Sequence, residues 1–421
     1  MPRRVKRPGM LAGGDGSTLS LDFTAMSGLD SRFTFTRAST GTYINSAGLV
    51  TTMAAASTND PTKARFDHDP TTLAPRGLLI EASATNELQR SNEFNTSPWY
   101  TSNFNTPTIA SPAVTDPAGG TNTWYCVPSG VGSVIHGFRY NTTFTAVNYT
   151  FSIWAKAAQH DKFVISDASS GQGACRFDLT AKTANVITGI VTPTNPQIIE
   201  YPNGWFRCSF TMVMAASTRG MTYSSYPTGA SIGAFGATFT ATGIDGMYFY
   251  GAQTELASFA SSYIPTGSST VQRAADSCSM TGTNFSSWFN STEGTFVATF
   301  QTTYSGTTDS TAFVLSLDSS GSKRIMYLQN GTQTVGSYDG TTIVTALGDA
   351  TGVVAKTASA YTQSERAIVL NNGTVITGSV VAGYSSGTSL SIGTLGIFAT
   401  YRSIKFFPTR LPDATLQSLT Q

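Results

Sequence analysis

The chain has 421 residues with a formal net charge of +1, and only 12% of its residues are charged while 11% are aromatic. A disordered chain needs high charge and few aromatic residues, so disorder of the whole chain is excluded. The near-zero net charge argues against a broad electrostatic surface for nucleic acid or acidic lipid. No apolar run reaches 18 residues, so the sequence predicts no membrane-spanning helix.

The N-terminal part, residues 1–85, begins with four cations and continues with short strand-like pieces at 19–23 and 33–37. Pro8 and Gly9 follow the cations where a signal peptide would have an apolar stretch, so we expect synthesis in a cytoplasm. Connections rich in Pro, Asp and Thr make this part too irregular to bury a core alone, and we expect it to lie against a partner. The basic arm is either a docking element for an acidic groove or a solvated tail; its cations are Arg3, Arg4, Lys6 and Arg7.

Strand patterns dominate from residue 86 onward. At 148–156 Tyr149, Phe151 and Ile153 alternate with polar residues, and Trp154 is out of phase with that apolar face, which indicates exposure or an interface. At 205–215 the even positions form one apolar face that includes Cys208, which we expect to be a buried free thiol. Further strands are predicted at 162–166, 246–256, 294–301, 312–317 and 366–370.

Turn residues separate these strands. Asn203-Gly204, Asn330-Gly331, Asp339-Gly340 and Asn371-Asn372-Gly373 supply the positive-φ positions of tight hairpins. Many short strands without amphipathic helices between them predict an all-β fold of antiparallel sandwiches or jelly rolls. Small polar residues with Pro265 and Gly267 predict an extended connector between two sandwiches. One short helical turn is predicted within 411–419.

Three stretches of the chain resemble virion proteins of tailed bacteriophages. LDSRFTFTRASTGTYINSAGLV at 29–50, continuing at 65–99, is similar to the N-terminal module of phage tail-fibre and other structural proteins. GAQTELASFASSYIPTGSSTVQRAAD at 251–276 resembles the segment that closes their carbohydrate-binding-module-like jelly roll. EGTFVATFQ at 293–301 and IKFFPTRLPDATLQSLT at 404–420 resemble the two ends of a concanavalin A-like sandwich of the laminin-G or pentraxin type, a more generic pattern.

This resemblance implies a domain order and a role. The expected parts are a virion-anchoring segment at 1–85, a jelly roll at 86–262, a linker at 263–281 and a concanavalin A-like lectin sandwich at 282–421. The expected protein is a noncatalytic tail fibre or similar appendage on the virion surface, held to other virion proteins by its N-terminus. Such appendages are often homo-oligomers, commonly trimers, and low charge with abundant small residues agrees with burial against further copies.

Aromatic side chains are the candidates for binding host-surface glycan. A flat exposed ring beside Asn, Asp or Gln can stack on a sugar while its polar neighbours bond the hydroxyls. The candidates are Trp99, Tyr100, Trp124, Tyr125, Trp154, Tyr223 and Tyr226. At each of them packing in the core is the alternative interpretation.

Catalytic and metal sites receive little support from the sequence. Asp67-His68-Asp69 is the nearest approach to a cluster, but in an extended segment His68 points away from the two acids, which favours a solvated or Arg-paired turn. No DxDxDG loop is present, so the sequence predicts no cofactor and leaves a structural calcium ion open. One alternative function is a purely architectural head-decoration or fibre-base protein. A second is a polysaccharide depolymerase using paired acids; the candidates are Asp167, Asp178, Glu200 and Asp245.

Overall fold

The computed structural model describes residues 14–102, 104–110, 114–130, 134–167, 171–233, 236–302, 312–318, 323–328, 334–346, 348–350, 352–384, 386–394 and 396–421. Within them the predicted all-β class is confirmed, because strands form antiparallel sheets and helices are short. No helix among these residues has the length and apolar character needed to cross a bilayer.

The N-terminal part contains seven strands and one 3-10 turn at Pro61–Lys63. The strands are β1 Leu19–Asp22, β2 Thr34–Thr36, β3 Gly41–Ile44, β4 Val50–Met53, β5 Arg65–His68, β6 Pro75–Glu81 and β7 Ala84–Asn86.

The middle of the chain contains fifteen strands and a 3-10 turn at Pro202–Gly204. They are β8 Trp99–Ser102, β9 Thr108–Ile109, β10 Trp124–Cys126, β11 Val134–Ile135, β12 Gly137–Thr143, β13 Asn148–Lys156, β14 Lys162–Asp167, β15 Gly173–Asp178, β16 Thr183–Thr188, β17 Thr194–Tyr201, β18 Trp205–Val213, β19 Thr218–Tyr226, β20 Ser231–Gly233, β21 Gly236–Phe239 and β22 Met247–Glu255.

The remaining elements lie in the last third of the chain. They are β23 Val271–Arg273, β24 Ser277–Thr281, α1 Thr283–Ser286, β25 Gly294–Thr302, β26 Ala312–Ser316, β27 Arg324–Leu328, β28 Val335–Tyr338, β29 Ile343–Thr345, β30 Val354–Tyr361, β31 Glu365–Leu370, β32 Ile376–Ser379, β33 Ser389–Thr394, β34 Phe398–Phe407 and α2 Asp413–Leu419. The helical turn predicted within 411–419 is therefore present.

Two β-sandwiches are built from these strands. The jelly roll has a front sheet, β16-β15-β14-β19-β12-β8, and a back sheet, β17-β18-β13-β22-β10-β9. Its core lies between them and is rich in aromatic side chains such as Phe138, Phe151, Phe210 and Phe249. The three-stranded sheet β11-β21-β20 packs against the outside of the front sheet through Val164 and Ala237.

The C-terminal sandwich combines an eight-stranded and a seven-stranded sheet. The first has the order β32-β31-β30-β25-β34-β6-β5, with β1 also paired to β34, and the second has the order β2-β24-β33-β26-β27-β28-β29. One apolar core joins Leu21 and Ile80 of the N-terminal part to Leu315 and Phe406. The strands β1, β2, β5 and β6 are therefore an integral part of this sandwich, whereas β3 and β4 form a separate two-stranded sheet.

The expected separation of 1–85 and 263–281 from the C-terminal sandwich does not match this arrangement. The segment expected to be irregular supplies β1, β2, β5 and β6 to the C-terminal sandwich, because its apolar side chains complete that core. The expected linker supplies β23 and β24, and Met280 of β24 is fully buried. The jelly roll is thus an insertion between strands of the C-terminal sandwich, and its two chain crossings, β7 and β23, pair with each other.

Five buried charged residues hold these parts together; we call them the ion-pair cluster. Arg65 bonds Glu81 at 2.6 Å and Asp276 at 2.5 Å, Arg37 bonds Asp276 at 3.1 Å, and Arg273 lies 3.4 Å from Glu81. Burial alone would raise the pKa of Glu81, but the charges of Arg273 and Arg65 lower it to about 2. The cluster joins the N-terminal part to the residues that follow the jelly roll.

Local predictions on turns and thiols also hold within the described residues. Asn203 and Gly204 have φ of 61° and 75°, and Gly340 has φ of 100°, as tight turns require. Asn330-Gly331 lies outside the described residues. All four cysteines are free and buried, including Cys208.

Candidate functional site

Five of the seven glycan-binding candidates lie in the interior. Trp99, Trp124 and Tyr223 belong to the jelly-roll core, and Tyr226 packs beneath the three-stranded sheet. Trp154 is only 1% exposed, on the outside of the back sheet. Burial leaves these five rings without a face for a sugar, which corrects their assignment as glycan platforms.

Tyr100 lies on the open outer face of the front sheet and is 37% exposed. Its cross-strand neighbour is Arg139, whose guanidinium carbon lies 5.5 Å from the centre of the ring. Its hydroxyl donates to Asn141 Oδ1 at 2.7 Å, and Asn141 is itself exposed. A Cβ at Gly220 would lie 2.6 Å from Asn141 Oδ1, so the absence of a side chain at Gly220 leaves space for the hydrogen bond between Tyr100 and Asn141. We call Tyr100, Arg139 and Asn141 the Tyr100 face.

Tyr125 lies on the other sheet of the jelly roll. It is half-buried on β10, its ring centre is 5.1 Å from that of Tyr248, and its hydroxyl lies 2.6 Å from Gln159 Oε1 and 2.8 Å from the Ile244 carbonyl oxygen. The two partly exposed candidates therefore do not form one surface.

Trp154 borders a cavity of about 180 Å³ at the junction of three parts of the chain; we call it the Trp154 cavity. The back sheet provides one wall, on which Ile199, Arg207 and Trp154 are cross-strand neighbours. The N-terminal part and the C-terminal sandwich provide the other walls, with Ile44, Val50, Asp67, Arg76, Leu79, Phe398 and Thr400 among the lining residues. The out-of-phase Trp154 thus packs in an interface within the chain.

Charged groups face this cavity from two sides. The Arg207 guanidinium carbon lies 4.6 Å from the centre of the Trp154 ring, and Nη2 donates to Ser152 Oγ at 3.2 Å. Asp67 accepts the backbone N–H of Ile44 at 2.7 Å and lies 3.9 Å from Arg76. Burial raises the pKa of Asp67 to about 6, against the opposing effects of the Ile44 N–H and Arg76.

The Asp67-His68-Asp69 segment spans the end of β5, and its two acids pair with Arg76. Arg76 bonds Asp69 at 2.8 Å, while His68 Nδ1 lies 3.3 Å from the Ile44 carbonyl oxygen. Among the described residues no group of three His, Cys, Asp or Glu side chains is arranged to hold a metal ion.

The acids proposed for a depolymerase have separate polar partners. Asp167 bonds Arg219 at 2.8 Å, Asp178 lies 3.4 Å from Lys162, and Glu200 bonds Lys182 at 2.7 Å. Asp245 accepts the Thr242 hydroxyl at 2.9 Å.

Some of the predicted site residues lie outside the described part of the chain, and some residues of the two sites were not predicted. Arg3, Arg4, Lys6 and Arg7 lie outside the described residues. Arg139, Asn141 and Arg207 were not among the residues predicted from the sequence. The alternation of Arg139 with the core residues Phe138 and Tyr140 was an available signal for an outward side chain, whereas the proximity of Arg207 to Trp154 depends on strand register.

No family model matches the chain, and no curated protein matches it in sequence. Among solved structures, a Trypanosoma rangeli sialidase aligns with 72% of this chain at 9% identity and a TM-score of 0.28. The LG1-3 region of the laminin alpha2 chain aligns with 68% at 12% identity and a TM-score of 0.22, and domains LG4-5 of the mouse laminin alpha1 chain with 72% at 10% and 0.20. The alignments span 58% of the sialidase chain, 66% of the laminin alpha2 region and 96% of the laminin alpha1 domains. Likeness at these TM-scores carries no argument about function.

Proposed function

We propose that this protein is a noncatalytic structural component of a tailed-phage virion, a tail fibre or similar surface appendage that binds host-surface glycan through the Tyr100 face. The virion role rests on the resemblance of 29–50, 65–99 and 251–276 to phage structural proteins. The glycan role rests on one observation, the exposed Tyr100 ring with an arginine and an amide beside it on an open sheet.

The chemistry of the Tyr100 face suits a sugar. Arg139 covers part of the tyrosine ring, and the remaining exposed ring can contact the C–H groups of a pyranose. The Asn141 amide nitrogen and the Arg139 guanidinium supply donors for hydroxyl groups. A single shallow contact of this kind is weak, so effective attachment needs several copies on one particle. We therefore propose a homo-oligomer, probed by light scattering of the purified protein.

A glycan array probed with the full chain tests the binding role. We expect binding to a restricted set of glycans that Tyr100→Ala abolishes and Tyr100→Phe retains, because the phenylalanine ring still stacks. Absence of binding at any valency would favour the architectural alternative. Release of reducing ends from host polysaccharide, lost on replacement of Asp167 or Glu200, would favour the depolymerase instead.

Location in the particle tests the virion role. We expect antibody to this chain to label purified phage particles, and deletion of the basic residues Arg3, Arg4, Lys6 and Arg7 to release the protein from them. A protein absent from purified particles would contradict the proposal whatever the array shows.

A further inference from the structure

The indole N–H of Trp154 differs from that of every other tryptophan in the chain. Of the five tryptophans, Trp99, Trp124, Trp205 and Trp288 each donate to a backbone carbonyl oxygen at 2.7–2.9 Å. Trp154 Nε1 is buried and has no acceptor among the described residues. A buried donor without an acceptor is destabilising, so native proteins rarely leave one.

Arg207, beside Trp154, forms no salt bridge with a carboxylate in the described part of the chain. No Asp or Glu oxygen of the described residues lies within 4.0 Å of its guanidinium, which donates to Ser152 Oγ, and its Nε has no hydrogen-bond acceptor there. The acids that line the same cavity have cationic neighbours of their own, Arg76 for Asp67 and Arg65 for Glu81. Among the described residues, Arg207 is therefore a cation of the cavity lining without a salt bridge, and its charge acts on the Glu255 carboxylate only from beyond salt-bridge distance.

The remaining surface of the cavity is largely apolar. Val50, Leu79 and Phe398 contribute to its walls. Its volume of about 180 Å³ slightly exceeds the roughly 150 Å³ of a protein cavity that accepts benzene. Ile199, which is 38% exposed, and the Arg76 side chain, which is 29% exposed, extend its lining to the protein surface.

We propose that the Trp154 cavity binds a small organic anion, a carboxylate carried on a single aromatic or cyclic group. The carboxylate accepts from the Trp154 indole N–H and the Arg207 guanidinium, and the ring packs against Val50 and Leu79. This site lies on the back sheet, away from the Tyr100 face, so it goes beyond glycan binding and does not depend on it.

Nuclear magnetic resonance of the full chain labelled with ¹⁵N-tryptophan tests the proposal directly. The spectrum contains one indole signal for each tryptophan, and Trp154→Phe identifies that of Trp154. On titration with phenylacetate we expect that signal to shift saturably while the other four change little. No saturable shift up to about 10 mM, a concentration that detects dissociation constants near about 1 mM, overturns the proposal.

Calorimetry with matched compounds and variants tests the charge. Phenylacetamide, which has the same ring without the charge, should bind at least about tenfold more weakly than phenylacetate. Arg207→Gln should weaken phenylacetate binding by about tenfold or more, whereas Arg176→Gln, on the front sheet, should leave it unchanged. Equal affinity for the acid and the amide overturns the proposal without requiring any variant to fold.

Discussion

The two outer faces of the jelly roll carry the same local arrangement and differ in what covers it. On the front sheet Arg139 lies beside Tyr100 on the neighbouring strand, and on the back sheet Arg207 lies beside Trp154 in the same way. In the first pair the Tyr100 ring is exposed and Arg139 is half-buried, whereas the N-terminal part covers the second pair. An aromatic–arginine pair therefore has no fixed role; the surrounding fold determines whether it forms a surface or lines a cavity.

Truncation of the two aromatic residues should give the largest contrast between the faces. Trp154→Ala removes a buried indole and should lower the free energy of unfolding by about 3–5 kcal/mol. Tyr100→Ala, on the open face, should lower it by less than about 1 kcal/mol. Urea unfolding followed by circular dichroism measures both. Similar losses for the two variants would show that the two faces are covered alike.

Glu81→Gln should weaken the attachment of the part that covers the back face. Removing one charge leaves Arg65 and Arg273 undercompensated in the interior, which typically costs about 3–5 kcal/mol. The exposed pair Lys182 and Glu200, with side chains 56% and 39% exposed, provides the control, and Glu200→Gln should cost less than about 1 kcal/mol. Because the pKa of Glu81 is lowered to about 2 from 4.5, its contribution is full above pH 4.5 and is lost as the pH falls toward 2.

Asp67→Asn should raise the free energy of unfolding near neutral pH, whereas Glu81→Gln should lower it. Burial raises the pKa of Asp67 from 3.8 to about 6, so its ionisation in the folded state costs up to about 2–3 kcal/mol above pH 6. The unfolded chain releases this proton first, so stability falls as the pH rises from 4 to 6. Compared with the unaltered protein, the asparagine variant should be more stable at pH 8 and gain nothing at pH 4. Chemical unfolding at the two pH values measures the difference, and an equal gain at both would contradict the assignment.

Gly220→Ala should have the smallest effect on stability of these variants, but it should weaken glycan binding at the Tyr100 face. The added Cβ would lie 2.6 Å from Asn141 Oδ1 and 3.1 Å from the Tyr100 hydroxyl, both at the ends of movable side chains. We expect a loss of less than about 1 kcal/mol in unfolding free energy, together with about fivefold weaker glycan binding as the Tyr100–Asn141 bond is lost. Unchanged glycan binding would place the sugar elsewhere.

The sequence predicted individual strands better than it predicted their partners. Asn148–Lys156 and Lys162–Asp167 were evident because alternation is a local property. The pairing of Leu19 with Phe406 was not, since residues so far apart in sequence carry no shared local pattern. Because of that pairing, the N-terminal part contributes to the C-terminal sandwich and is not a separate segment.

The candidate sites could likewise be predicted only as far as local sequence patterns allow. The out-of-phase Trp154 did indicate an interface, but only the register of β13 and β18 places Arg207 on its ring. Composition likewise could not show which aromatic residues complete the jelly-roll core, and three of the seven tryptophans and tyrosines chosen as platforms do so.

The pairing of β7 with β23 also has a mechanical consequence. Both covalent routes between the jelly roll and the rest of the chain run side by side in this ribbon, with Asn86 opposite Val271 and Ala84 opposite Arg273. A pull applied to the jelly roll is shared by two adjacent backbones, and twisting about either one is resisted by the other.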